Sequence, residues 1–269
     1  DSYLELLGQT ITRVNRSGGR RKQSVAESSF DAWTKFYKQD ANAANAIISY
    51  YAKGALIALA LDLKLRSETE GSCTLDDVMR EGWRRWGETG EGMPEDGFEK
   101  LSAEVSGLDL EDFFDATVRG TGELPLETLL KTHGISYHLR RSAGGEDKGG
   151  KAKNDPELPA VWLGAALGNR NGSPVFSTVH NGGPAELAGI APGDELVALD
   201  GLRISLAGCE TRTRRYHVGD KSDVTVFRGD ELMTLRLKWA AAPTDTCYLT
   251  ADSGVDDDVM SRRAAWLAR

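Results

Sequence analysis

The sequence predicts an α+β fold in which an all-helical lobe precedes a small β-rich domain. Apolar residues recur at a helical spacing through residues 1–141 and alternate with their neighbours through residues 158–240. Between these blocks, residues 142–157 contain four glycines, seven charged residues and no large apolar side chain. This composition predicts a flexible linker at 142–157, and residues 241–269 remain as a C-terminal tail that ends in a short helix.

The composition of the chain argues against several kinds of binding partner and of cysteine site. The chain has 269 residues, enough for two domains, and 33 Lys and Arg against 41 Asp and Glu give a net charge of −8. Because an acidic chain has no general attraction for nucleic acid or an anionic membrane, we expect neither partner. Three scattered cysteines (Cys73, Cys209 and Cys247) form neither a disulfide framework nor a metal site. The first residues do not resemble a signal peptide, which favours a cytoplasmic location.

The helical lobe is predicted from its apolar spacing. A first helix ends at Ser17-Gly18-Gly19, and aromatic residues then recur at helical spacing between Phe30 and Tyr37. Asn45 is the predicted N-cap of a long apolar helix that runs to about Arg66. This stretch is barely long enough to span a membrane and carries Lys53 near its middle, so we interpret it as a buried core helix. We expect further helices over 75–86, 94–106, 110–118 and 125–132.

The β-rich domain contains a run of turn signals from Gly182 to Gly201. Pro184 suits the first turn of a short helix, Gly189 suits its end, and Asp200-Gly201 suits a two-residue hairpin turn. This whole run resembles the signature of PDZ domains, in the version common in bacterial proteases. We therefore expect residues 158–240 to form a PDZ domain.

Residues 162–165 resemble the carboxylate-binding loop of PDZ domains. The resemblance implies that a peptide C-terminus would bind at Leu163, Gly164, Ala165 and Ala166, with the peptide added as a strand to the sheet edge. It also implies that residues 210–217 form the helix that walls the groove. Because two of the loop residues are alanines, we expect a shallow side-chain pocket. The alternative is a PDZ domain that packs only on its own protein and binds nothing.

The helical lobe resembles one family of zinc peptidases at five places. These are Ser28–Trp33, Ser49–Gly54, Leu75–Met79, Gly107–Asp115 and Gly120–Pro125. With a PDZ domain at the C-terminus, nearly the whole chain is similar to the glycyl aminopeptidase family, which is related to the thermolysin-like aminopeptidases. The resemblance implies that residues 1–141 form the C-terminal lobe of a thermolysin-like peptidase.

The resemblance also implies a role for Tyr51. In the related aminopeptidases the tyrosine of a Tyr-x-Lys-Gly motif lies beside zinc and donates to the oxyanion of the tetrahedral intermediate; Tyr51 in Tyr51-Ala-Lys-Gly54 matches it. By periodicity alone, Tyr50 and Tyr51 are core or groove aromatics, and the role of Lys53 stays open.

The family's zinc motif, H-E-x-x-H, does not occur in the sequence. Its zinc ligands and general base are therefore expected upstream of residue 1. We expect the parent protein to be a zinc aminopeptidase that hydrolyses peptides near their N-termini, whereas this chain alone should bind no zinc and be inactive. The alternative function is a non-catalytic PDZ scaffold that binds peptides.

Overall fold

The structure, a computed structural model, describes residues 2–154 and 158–267. A helical region precedes a small β-sheet domain, so the predicted α+β class is confirmed. The fold divides into two compact units. The first unit comprises Asp1–Arg20, Trp33–Ile47 and Leu139–Tyr248; the second comprises Arg21–Ala32, Ile48–His138 and Leu249–Arg269.

The helices and strands follow in chain order. The helices are α1 (Ser2–Arg16), α2 (Val25–Phe30), α3 (Ala43–Ala46), α4 (Tyr50–Glu68), α5 (Leu75–Gly82), α6 (Gly97–Ser106), α7 (Glu111–Phe114), α8 (Leu126–Thr132), α9 (Pro184–Leu187), α10 (Leu206–Thr213) and α11 (Asp257–Leu267). The strands are β1 (Ile135–Arg141), β2 (Val161–Trp162), β3 (Ala165–Arg170), β4 (Ser173–Val179), β5 (Glu195–Leu199), β6 (Leu202–Arg203), β7 (Lys221–Arg228), β8 (Glu231–Lys238), β9 (Ala240–Ala241) and β10 (Thr244–Ala251).

The long apolar helix begins later than the sequence predicts. α4 starts at Tyr50, and the Ser49 side chain caps its first turn by accepting a hydrogen bond at 3.2 Å. Asn45, the predicted N-cap, is buried in the first unit, where it donates to the Val179 carbonyl and accepts from the Asn181 N–H. The prediction was wrong because Asn45 makes tertiary hydrogen bonds, while Ser49 supplies the cap.

Residues 43–68 are long and apolar enough to cross a membrane, but half of their apolar 18-residue window is buried inside the protein. The stretch is also interrupted by the non-helical residues 47–49. Both features agree with the predicted core helix.

The core of the second unit forms around α4. α4 packs with α5, and α5 packs with α6. Together with Cys73, which precedes α5, and with α7, these helices contribute the buried apolar residues Leu61, Leu65, Cys73, Val78, Leu101, Leu110 and Phe114. α5 opens with a capping box, in which the Asp77 carboxylate accepts from the Thr74 N–H at 2.9 Å and from its hydroxyl at 2.7 Å.

The aromatic residues 30–37 do not form the single amphipathic helix that their spacing suggests. α2 ends at Phe30, and a π-helical turn occupies Ala32–Phe36. Phe30 is 91% exposed and Trp33 is 79% exposed, so neither side chain belongs to a core. Their spacing resembles a buried helix face although the side chains face outward.

The first unit is built on an antiparallel sheet with strand order β3-β4-β5-β7-β8, to which β6 adds beside β5. The predicted hairpin turn joins β5 to β6, and Asp200 (φ 53°) and Gly201 (φ 70°) both adopt the left-handed backbone that it requires. The core of this sheet is one cluster that includes Phe176, Leu196 and Trp239. The indole N–H of Trp239 donates to Ser222 at 2.8 Å, which satisfies that buried group.

The helix after β6 begins earlier than predicted. The sequence predicts it over 210–217, whereas α10 spans Leu206–Thr213. Ser205 is the N-cap, and its hydroxyl accepts from the Gly208 N–H at 3.1 Å. The prediction placed the helix too late because it overlooked Ser205 as an N-cap.

Residues 142–154 form a packed loop rather than the unpacked linker that their composition suggests. The carboxylate of Asp147 accepts from the Arg140 guanidinium at 2.6 Å, and both side chains are only 6% exposed. The Gly150 N–H donates to the Cys247 carbonyl at 2.8 Å. The expectation is corrected because a charged residue can be buried once its partner is buried with it. The last part of the predicted linker, residues 155–157, lies outside the described residues.

The C-terminal tail also contains strands that its sequence did not suggest. β9 pairs antiparallel with β2, with Ala241 opposite Val161 and Ala240 opposite Trp162. β10 forms a two-stranded sheet with β1. The predicted short helix is present as α11.

Candidate functional site

The loop between β2 and β3 carries the predicted carboxylate-binding residues. The Leu163 carbonyl accepts from the Ala185 N–H at 3.0 Å, and the Gly164 carbonyl accepts from the His180 N–H at 2.8 Å. Both carbonyls are therefore directed into the domain. In a trans peptide the N–H points opposite to the preceding carbonyl, and no cis bond is present among the described residues. The N–H groups of Gly164 and Ala165 thus point away from these two internal hydrogen bonds, at the start of β3.

Gly164 is needed at this position for two reasons. Its φ of +77° lies in the left-handed region, and a Cβ there would come within 2.7 Å of the Pro184 Cδ and 2.8 Å of the Pro184 N. The loop thus packs directly on the N-terminus of α9, which holds the loop in this conformation.

A groove is defined beside this loop by β3 and α10. β3 is an end strand of the sheet: β4 pairs with one edge, and among the described residues no strand pairs with the other. α10 packs beside β3. Ala165 is half-buried and Ala166 is exposed, so the side chains at the start of β3 are small, as the sequence indicates.

His180 is a neighbour of the loop that the sequence did not single out. Its ring lies 5.7 Å from that of Trp162, centroid to centroid. Burial lowers the pKa of His180, so the neutral imidazole is favoured next to the loop. The only hint in the sequence is its position just before Asn181-Gly182, because no local rule relates it to residue 162.

Tyr51 lies in the first turn of α4 and is 60% exposed. Its ring is 4.2 Å from that of Tyr50, with 31° between the planes. The two tyrosines therefore form one aromatic pair, which the helical spacing of about 100° per residue did not suggest. A core assignment for Tyr51 does not agree with its exposure.

The neighbours of Tyr51 in the motif differ in environment. Lys53 is buried, with 3% of its surface exposed. A Cβ at Gly54 would meet no atom within 4 Å, so this glycine borders open space. The open side of the helix start therefore includes Tyr51 and Gly54.

The described residues do not fit a metal site, because among 2–154 and 158–267 no three His, Cys, Asp or Glu side chains converge. A cavity of about 390 Å³ lies in the second unit beside α5 and is lined mainly by charged side chains. Its arginines already bind carboxylates: Arg84 and Arg85 both bind Glu81, and Arg85 also binds Glu104. Hydrogen bonds from Arg84 and then Arg85 lower the pKa of Glu81 to about 2. The charged side chains named here are therefore paired with one another.

Comparison with protein families supports both parts of the predicted resemblance. Residues 1–57 match the model of the M61 glycyl aminopeptidase family, and residues 161–239 match the PDZ domain model. The predicted resemblance to M61 peptidases with a PDZ domain is confirmed. No curated protein matches the chain significantly.

A solved structure of a larger protein is similar to this chain. It is an aminopeptidase N family protein from Idiomarina loihiensis, with 37% identity and a TM-score of 0.90, covering 100% of this chain. The chain spans only 44% of the length of that protein.

Two solved proteases are similar to about a third of this chain. The HtrA-type protease AlgW with a decapeptide is 22% identical over 31% of this chain and 30% of its own, with a TM-score of 0.30. A serine endoprotease from Yersinia pestis is 16% identical over 31% of this chain and 30% of its own, with a TM-score of 0.29. These two carry no inference about activity.

Proposed function

We propose that this chain is the peptide-recognising portion of an aminopeptidase, with a PDZ groove that binds the free carboxylate of a peptide C-terminus. The observation that carries the proposal is the pair of consecutive N–H groups at Gly164 and Ala165, which point away from the internal hydrogen bonds of the loop, next to an open strand edge. Two adjacent donors suit the two oxygens of a carboxylate, and the edge of β3 offers backbone hydrogen bonds to an added strand. This role agrees with the peptidase-family and PDZ matches of the chain.

The small side chains of the groove indicate which C-terminal residue would bind. Ala165 and Ala166 carry only methyl groups, which offer little apolar contact to a peptide side chain beside the two N–H groups. We therefore expect alanine or valine at the C-terminus of the peptide to be preferred over phenylalanine, whose ring needs a deep apolar pocket.

A titration of the purified chain with synthetic decapeptides tests this role. A decapeptide that ends in alanine with a free carboxylate should bind at least about tenfold more tightly than its C-terminal amide, because charge-assisted hydrogen bonds are the stronger kind. A decapeptide that ends in phenylalanine is the control for pocket depth. Equal affinity for the acid and the amide would contradict the proposal.

We further propose that Tyr51 acts in the complete aminopeptidase. Its exposed position at the start of α4 and its match to the Tyr-x-Lys-Gly motif support this role. There the phenol would donate a hydrogen bond to the oxyanion that forms when water attacks the peptide carbonyl. The zinc that the family implies would be held by residues outside those described, because the described residues supply no ligand set.

A further inference from the structure

The C-terminal helix α11 packs over the end of α8 in the second unit. The Arg262 side chain donates to the Thr132 carbonyl at 3.2 Å, and the Arg263 guanidinium donates to the Gly134 carbonyl at 2.9 Å. A Cβ on Gly134 would lie 2.8 Å from a methyl group of Val259, so the helix lies directly against this turn. α11 therefore covers the residue between Thr132 and Gly134.

That residue is His133, which is fully buried. Its ring lies 5.8 Å from the ring of Trp266 in α11, with 66° between the planes. Its Nδ1 lies 2.9 Å from the Leu129 carbonyl, and because a carbonyl only accepts hydrogen bonds, the neutral ring carries its proton on Nδ1. The Nε2 atom is buried and has no hydrogen-bond partner among residues 2–154 and 158–267. Nε2 is therefore the atom that a second proton would occupy.

The surroundings of His133 disfavour a positive charge on its ring. Burial is the largest cause that lowers its pKa; the charges of Arg262 and Arg66 act in the same direction, whereas the Leu129 hydrogen bond and the charge of Asp62 oppose it. The Asp62 carboxylate already accepts from Arg66 at 2.9 Å. Charged residues on the segments around His133 are Asp62 and Arg66 in α4, Lys131 in α8, Asp252 after β10, and Arg262 and Arg263 in α11.

α11 is held less firmly than the helix it covers. None of the residues described for it, 257–267, is buried. Leu130 and Ile135, on either side of His133, are both fully buried. A segment with little buried apolar surface opens locally at a lower free energy than the whole unit unfolds. α11 can therefore separate while α8 stays in place.

We propose that α11 is an acid-released cover: protonation of His133 at Nε2 detaches α11 from α8 while the rest of the second unit stays folded. In the closed state the helix lies over an uncharged ring. When the helix separates, Nε2 reaches water and can hold a proton. Because the released state binds a proton that the closed state does not, a fall in pH shifts the equilibrium towards release.

Hydrogen exchange of the purified chain at pH 7.0 and pH 5.5 tests the release. With an ordinary pKa of about 6.5 for the uncovered ring and a neutral ring in the closed state, this change raises the released fraction about eightfold. The protection factors of the α11 amides, which correct for the intrinsic effect of pH on exchange, should fall by that factor. Unchanged protection factors in α11 would overturn the proposal. The carboxylates of Asp256, Asp257 and Asp258 stay charged over this range, so they add little to the change.

The helix α4 shows whether the opening is local. At both pH values, the α11 amides should have protection factors at least about tenfold lower than those of the buried part of α4, because α11 opens without the unit unfolding. Equal protection in the two helices would overturn the proposal, since α11 would then separate only when the whole unit unfolds.

Two histidine variants assign the effect to one ring. His133→Gln should abolish the eightfold change in α11, whereas His138→Gln, the matched control in the same unit, should retain it. A His133→Gln variant that keeps the change would overturn the proposal. Titration of the His133 ring in the unmodified chain by NMR does not depend on the folding of either variant. The ring should take up its proton together with the loss of protection in α11, and uptake while α11 stays equally protected would also overturn the proposal.

Discussion

For two glycine-rich segments of the first unit, the structure predicted from the sequence is right in one case and wrong in the other. Residues 182–201 fold as their sequence indicates, with Pro184 in the first turn of α9 and a left-handed turn at Asp200-Gly201. Residues 142–154 have the composition of a linker but form a loop around the buried Asp147. The first segment is determined by backbone rules that act within a few residues. The second is determined by charges that become neighbours only in the folded chain.

The buried pair in the second segment should dominate its stability. Replacing Asp147 with alanine leaves the Arg140 charge buried without its carboxylate, so we expect a loss of about 3–5 kcal/mol in the free energy of unfolding. Urea unfolding of the variant measures this loss, and limited proteolysis should now cut first within 142–154. Glu146→Ala, an exposed neighbour, is the control and should change neither result. Equal stability of Asp147→Ala and wild type would show that the loop is held by other contacts.

Substitution of Gly164 tests how much a left-handed backbone and a crowded position each contribute to stability. Gly164→Ala adds a Cβ that clashes with Pro184 and has an unfavourable φ of +77°, so we expect a loss of about 2–4 kcal/mol. Gly172→Ala separates the two causes, because its φ is +90° but a Cβ there would meet no atom within 4 Å. That variant should lose only about 1–2 kcal/mol in the same urea experiment. Similar losses for both would exclude a contribution from crowding.

Burial of the neutral His133 side chain should give a smaller effect on stability, and this effect depends on pH. His133 in the second unit is fully buried, and burial is the first cause that lowers its pKa; the charges of Arg262 and Arg66 act in the same direction. The unfolded chain therefore binds a proton more readily than the folded one. Stability from the neutral form is present above the ordinary pKa of about 6.5 and is lost as the pH falls below it.

Thermal unfolding between pH 7 and pH 5 measures this effect. The Tm of wild type should fall more steeply with decreasing pH than that of His133→Gln. His180→Gln is the matched variant in the first unit, where burial also lowers the pKa. A Tm slope that His133→Gln leaves unchanged would assign the acid sensitivity to other groups.

The exposed ion pairs beside α5 should give the smallest effect. Glu81 binds Arg84 and Arg85 with the same chemistry that joins Asp147 to Arg140, but it does so at the surface. Water and salt screen exposed pairs, and their side chains lose entropy on pairing. We expect Glu81→Gln to unfold at the same Tm as wild type. A clear loss would mean that burial does not decide the strength of these pairs.

Much of the fold could be predicted because its signals are local. The capping box at Thr74 and Asp77 and the hairpin turn at Asp200-Gly201 depend on residues that are close in sequence. Errors occurred where a residue had two possible uses, as for Asn45, whose side chain binds Val179 instead of capping a helix. The strands of the tail were missed for a related reason, since β9 is formed by pairing with the distant β2.

The candidate site was predictable to a similar degree. The PDZ motif located the loop at Gly164, and the Tyr-x-Lys-Gly motif located Tyr51. The direction of the loop N–H groups, the contact of His180 with Trp162 and the hydrogen bond from Gly145 to Glu210 all depend on tertiary packing. No short-range pattern specifies those contacts.

The role of Tyr51 is tested most directly by turnover of the complete aminopeptidase. We predict that Tyr51→Phe lowers kcat about 10²- to 10³-fold with little change in KM, because the phenol bonds the oxyanion only in the transition state. Tyr50→Phe removes the hydroxyl of the adjacent ring and is the matched control, with a much smaller effect expected. A kcat for Tyr51→Phe equal to that of wild type would contradict the assignment.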